Sequence, residues 1–212
     1  MYLNIETNAP ERYTDVRSFL FNHALRPFDF DYWNVTSSWR PRQKYDQDNG
    51  VRLYPIITAR NMAIDYALHR QADWLFFVDS DVIVPPDSLT KLLALGRPLV
   101  GGLVPGRGAH SHVNYVFGQW DATDEVLITK HGTMGCCLIH KDLFQFIRFR
   151  QGPHPIRKEV WLSEDPCYAA DAEYAGRANA WYIHTGVVCG HIDNPDHPLT
   201  GDGAINDYEV TQ

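Results

Sequence analysis

No stretch of this chain approaches the roughly 18 consecutive apolar residues that a membrane-spanning helix needs. Its opening residues, MYLNIETNAPERYTD, lack both a basic leader and an apolar core, so they do not read as a secretory signal. Lys and Arg form no block, and 19 of them stand against 26 Asp and Glu, a net charge of −7. That balance argues against nucleic acid or an anionic membrane as the main partner. An anionic ligand would have to be held by local arginines or by a metal, because the overall field repels it. Cysteine is scarce. Cys136, Cys137, Cys167 and Cys189 include no C-x-x-C pair and two are adjacent, which fits neither a zinc site nor a disulfide framework. Each has apolar or small neighbours, so buried free thiols in a reducing, cytoplasmic compartment are expected. Internal repeats and low-complexity tracts are absent.

What remains is an ordinary globular composition. The 212 residues are 44% hydrophobic and 21% charged, enough for one sizeable domain. The chain is organised around Asp73-Trp-Leu-Phe-Phe-Val-Asp-Ser-Asp-Val-Ile-Val-Pro85. Leu75 to Val78 form a continuous apolar run, as expected of a strand buried on both faces. It stops at Asp79-Ser80-Asp81. Buried carboxylates are costly without a partner. In extended chain, residues i and i+2 point to one side, so Asp79 and Asp81 can converge on one hard cation, Mg²⁺ or Mn²⁺. The plain alternative is a turn, in which Asp is common.

Other elements fall around this strand. Residues 1–7 read as an edge or first strand, 14–25 as an amphipathic helix, 29–39 as a second strand and 40–50 as a loop. Thr58 is placed to cap a helix running to Arg70, with Ile64, Ala67 and Leu68 inward and Arg60 in the first turn. An anion at that helix end would suit both the amides and the guanidinium. Pro85-Pro-Asp-Ser opens a helix that Gly96 ends. Residues 98–104 form a strand whose paired glycines suggest close approach of backbone or ligand. A Gly- and His-rich loop, 105–112, is a candidate lid in which His110 and His112 have nothing nearby to fix them. Residues 115–120 and 125–129 can pair as a hairpin, Cys136 to Ile139 read as a strand, and 141–149 as a helix. Ser163-Glu164-Asp165 opens a further helix that Gly176 stops. Residues 181–192 are a last strand ending in Gly190-His191. The tail, 193–212, is a flap or a linker.

The Asp79-Ser80-Asp81 triplet, with an apolar strand before it and a Pro-Pro-Asp helix start after it, resembles the DxD motif of GT-A glycosyltransferases. Ala59-Arg60-Asn61, Gly132-Thr133-Met134-Gly135 before a strand, Glu164-Asp165 and Gly190-His191 follow the order of that family's elements, over about residues 57–192. The resemblance implies an α/β, Rossmann-like GT-A domain with a mixed, mostly parallel central sheet flanked by helices. Residues 1–96 would mainly bind nucleotide and 97–192 mainly sugar and acceptor. It implies a transferase moving a sugar from a nucleoside-diphosphate sugar, UDP by preference, to a glycan or other hydroxyl acceptor. Mn²⁺ or Mg²⁺ would lie on Asp79, Asp81 and His191. Arg60, Asp79, Ser80, Asp81, Gly132, Thr133 and Gly135 would line the donor site. Asp165, or else Glu164, would be the catalytic acid residue. The pattern is also similar to glycosyltransferase domains of large DNA viruses of algae, which are parts of longer polypeptides and would act in the host cytoplasm. Two other functions compete. Haloacid-dehalogenase-like phosphatases also carry D-x-D after an apolar strand, though normally near the chain start. A silent carbohydrate- or metal-binding module is the other.

Overall fold

The computed structural model describes residues 2–6, 32–36, 50–79, 82–104, 121–122 and 125–191, and of 2–6, 32–36, 50–55, 121–122 and 191 only the backbone. Ser80 and Asp81, the expected helix over 14–25, the loops with His110 and His112, the strand at 115–120 and the tail after 191 lie outside these residues.

An eight-stranded sheet forms the centre. In space its strands run β2 (Tyr32–Thr36), β1 (Tyr2–Glu6), β3 (Trp74–Asp79), β8 (Cys136–His140), β5 (Leu99–Leu103), β11 (Trp181–Val188), β7 (Val126–Thr129) and β6 (Asp121–Ala122). β1 pairs in parallel with β2 and β3, and β11 with β5. β8 runs against both β3 and β5, and β7 against β11 and β6. Six of the eight strands therefore share one direction, with β8 and β7 reversed, which is the mixed and mostly parallel sheet expected. Two small antiparallel ladders flank it: β9 (Gly152–Pro153) with β10 (Trp161–Leu162), and β4 (Val82–Ile83) with β12 (Gly190–His191).

Strand β3 shows how the sequence sets the layers. Alternate side chains point to opposite faces. Leu75 and Phe77 enter one core, with Ala59, Ala63, Ile64 and Ala67 of α1 (Gly50–His69), Leu143 and Phe144 of α3 (Lys141–Phe144), and Tyr168 and Ala172 of α4 (Glu164–Tyr174). Phe76 and Val78 enter the other, with Leu89 and Leu92 of α2 (Ser88–Ala94). All four β3 side chains are buried, each contributing about 1.5–3 kcal/mol by removal from water. By the same alternation Asp79 continues on the α1 and α4 side.

Three expectations change. α1 starts at Gly50, eight residues before Thr58, so Thr58 is an exposed mid-helix residue rather than a cap. Arg60 consequently lies ten residues into the helix, where no free amides gather to receive an anion. α3 ends at Phe144, short of residue 149. The glycines of β5 are explained by backbone approach. A Cβ on Gly102 would stand 2.6 Å from Val187 Cγ1 and 2.9 Å from its carbonyl oxygen, so β11 closes directly over the strand. Among the described residues, no helix is long and apolar enough to cross a membrane.

Candidate active site

Arg60 stands at the centre of the carboxyl edge of β3. Its helix buries Ala59, Arg60, Ala63, Ile64 and Ala67 on one face, the 3–4–7 spacing of an amphipathic helix. Arg60 is 3% exposed. One terminal nitrogen donates to Asp165 Oδ1 and lies 3.4 Å from Glu164 Oε1; the other is 3.9 Å from Asp79 Oδ1. Three carboxylates, one from the end of β3 and two from the start of α4, thus converge on one guanidinium. Burial disfavours the arginine's charge. Asp165, then Asp79 and Glu164, outweigh that and hold it more firmly protonated than an ordinary arginine.

The guanidinium is framed by its neighbours. The Phe149 ring lies 5.3 Å from it and stacks in turn on Tyr168, centroids 4.4 Å apart. Asn61 fixes the backbone of Phe149 from both sides. Its amide donates to the Phe149 carbonyl and its carbonyl accepts the Phe149 N–H, each at 2.8 Å. Arg60 Nε is buried without a partner, which ordinarily costs about 1–3 kcal/mol.

Asp165 is held by both oxygens. Oδ2 accepts the Met134 N–H at 3.1 Å while Oδ1 faces Arg60. The same turn touches Asp79, whose own N–H donates to the Gly135 carbonyl at 3.1 Å. A Cβ on Gly135 would lie 3.5 Å from Asp79 Oδ2. Thr133 Oγ1 accepts the Gly135 N–H at 3.3 Å, which shapes the turn locally. Gly132 has a different surrounding from its neighbours: a Cβ there would sit 2.5–2.7 Å from the buried indole of Trp181. Packing alone accounts for that glycine. Ser163 occupies the cap position of α4 without a side-chain cap bond, and Glu164 is itself buried.

The structure therefore brings together Arg60, Asp79, Gly135, Glu164 and Asp165, with Thr133 alongside and Gly132 turned to the core. The β4–β12 ladder sets the backbone of His191 opposite Val82, the residue after Asp81. Among the described residues no group of three His, Cys, Asp or Glu side chains is placed to hold a metal. Two of the three expected ligands, Asp81 and the His191 side chain, lie outside those residues. Of what is described, Asp79 offers hard carboxylate oxygens on a side chain 36% exposed. That is donor chemistry suited to Mg²⁺ or Mn²⁺.

All four cysteines are buried and free, as expected. Burial pushes the Cys137 and Cys189 thiols well up, and that of Cys167 up to about 11. None of these three is an activated thiolate nucleophile.

Sequence reasoning missed Asn61 and Phe149. It placed Ile64 and Ala67 inward without noting that Arg60 precedes them by four and seven residues on the same face. That spacing was the available signal.

No family model and no curated protein matches the chain. Solved structures do. The chain is similar to GalNAc-T7 with UDP, GalNAc and Mn²⁺ at TM-score 0.59 and 14% identity, covering 90% of this chain and 43% of that one. It is similar to S. aureus TarS 1-349 at TM-score 0.51 and 14% identity, over 86% of this chain and 56% of that one. It is similar to A197 from STIV at TM-score 0.50 and 16% identity, over 90% and 83%. The chain thus spans about half the length of the first two. At such identities the likeness concerns architecture. The chain has a mixed α/β fold of the GT-A glycosyltransferase kind.

Proposed function

We propose that this protein is a metal-dependent glycosyltransferase that moves a sugar from a nucleoside-diphosphate sugar, preferably a UDP-sugar, to a hydroxyl on a glycan or similar acceptor. The observation that carries this reading is the convergence of Asp79, Glu164 and Asp165 at the carboxyl edge of β3, where open α/β sheets bind their ligands. The GalNAc-T7 structure of like fold holds UDP, GalNAc and Mn²⁺.

In this reading Asp79, with Asp81 and His191, holds Mn²⁺ or Mg²⁺. When bound, the cation would supply neutralising charge for the departing diphosphate. Ser80 and the turn at Thr133 to Gly135 border the donor. Asp165, fixed by the Met134 N–H, faces the sugar or the incoming acceptor hydroxyl. In an inverting enzyme it would take the acceptor proton. In a retaining one it would orient the sugar.

The test is a thermal-shift and calorimetry series with UDP, GDP and CMP, each with Mn²⁺ or with EDTA. A ligand of the folded state raises its melting temperature by mass action. UDP is expected to stabilise the protein with Mn²⁺ and far less in EDTA; undiminished binding in EDTA would sink the metal assignment. Release of inorganic phosphate from phosphate esters, without sugar transfer, would favour the phosphatase reading instead.

A further inference from the structure

We propose that Arg60 is a positioning residue: a carboxylate clamp that holds Asp165 and Glu164 in register with Asp79, rather than a contact for the donor's phosphates. Its place in an Ala-Arg-Asn segment suggested an anion contact, but the geometry points elsewhere. The guanidinium is 3% exposed. Its two terminal nitrogens face carboxylates from both ends of the site. Sideways motion is blocked by the Phe149 ring, which Asn61 locks through the backbone and Tyr168 through stacking. A diphosphate arriving from solvent would have to displace Asp165 or Asp79 to reach it.

The clamp also joins two parts of the chain. Arg60 on α1 and Asp79 on β3 belong to the segment before residue 96. Glu164 and Asp165 belong to α4, reached only after β8 and the β9–β10 ladder. A guanidinium suits this task because its planar fork serves several carboxylates at fixed angles, whereas an ammonium is a point charge on a flexible stem. Arg60 acts through Asp165: without it, the carboxylate keeps its Met134 bond but loses the partner that fixes Oδ1.

The inference rests on the glycosyltransferase reading, and the experiment separates the two. UDP affinity in Mn²⁺ is measured by calorimetry for the wild type, Arg60→Lys, Asp165→Asn and the double variant. Folding is followed by circular dichroism. Turnover is read as UDP release from UDP-glucose, UDP-galactose and UDP-N-acetylglucosamine. The expected result for Arg60→Lys is UDP affinity within about twofold of wild type and turnover lower by about tenfold or more, since small misplacements of a reacting group cost up to about 10²-fold. In the double variant the penalty of Asp165→Asn shrinks, because the two act as one unit. A loss of UDP affinity of about tenfold in Arg60→Lys overturns the clamp and restores the phosphate contact. Normal turnover, or strictly additive penalties, overturns it too. If Arg60→Lys does not fold, Arg60→Met with Asp165→Asn removes both charges together; wild-type UDP affinity in that protein supports the clamp and weakened affinity overturns it. If the wild type neither binds UDP with Mn²⁺ nor releases it from any of the three donors, the glycosyltransferase reading itself falls, whatever the variants do.

Discussion

Helix α4 engages two arginines, and they differ in depth and in number of partners. Arg150 meets Asp171 one to one. Its Nε and a terminal nitrogen each donate to a different carboxylate oxygen at 2.6 Å, and its other terminal nitrogen donates to the Pro153 carbonyl at 3.1 Å. The Arg150 side chain is 37% exposed. Ten residues nearer the chain start of the helix region, Glu164 and Asp165 share the buried Arg60 with Asp79. A one-to-one fork at the surface is a finished structural pair. Several acids gathered on one buried guanidinium, at the end of a central strand, is an arrangement that stability alone does not call for. Buried ionic groups are often less stabilising than apolar replacements. The contrast identifies which end of α4 belongs to the site.

The largest effect should come from the buried end. Asp165→Asn is expected to lower turnover by about 10²-fold or more, a typical general-base contribution, while UDP affinity in Mn²⁺ stays similar. Turnover, affinity and the anomeric configuration of the product are to be measured together. Near-normal turnover would remove Asp165 from the chemistry. A dead variant of an enzyme that retains configuration would leave it orienting the sugar.

The surface pair should behave in the opposite way. Arg150→Ala is expected to cost about 1 kcal/mol of stability in urea unfolding, the upper range for pairs this exposed, with UDP affinity and turnover unchanged. A loss of turnover without a loss of stability would mean that the outer arginine also serves the site, and the comparison would fail.

The smallest effect concerns His131, beside the turn that touches Asp165. Burial, with His154 and Arg157 nearby, lowers its pKa below the ordinary value of 6.5. The fold therefore favours the neutral ring. Its contribution to stability is present above pH 6.5 and is lost as pH falls from there through the folded-state pKa. The melting temperature should drop between pH 7.5 and 5.5, and His131→Asn should flatten that drop. An equal drop in the variant would assign the pH dependence to other groups.

Much of this arrangement could be read from residues alone. The apolar run Leu75 to Val78 ends in an acid, and β3 is buried along that run and stops at Asp79. Ser163-Glu164-Asp165 and Gly176 bracket a helix, and α4 spans Glu164–Tyr174, with Gly176 at φ +64° beyond it. The start of α1 was not legible, because Thr58 resembles a cap and nothing local shows that the helix is already two turns long. Gly132 was misleading for a related reason. Its neighbours in sequence border Asp79, but the group that needs its missing side chain, Trp181, is 49 residues away.

By itself the sequence determined the period of each element, and with it the face to which each side chain points. That is local physics: strand alternation puts Asp79 on the side of Leu75 and Phe77, and helix spacing puts Arg60 on the side of Ile64 and Ala67. Only the tertiary structure decided what Arg60 meets there. Its three carboxylates come from 19, 104 and 105 residues away. Which of them reach the guanidinium depends on β8 running against β3 and on α4 packing over the same face of the sheet as α1. Partners so far apart in sequence are chosen by the geometry of the layers, which no window of the chain contains.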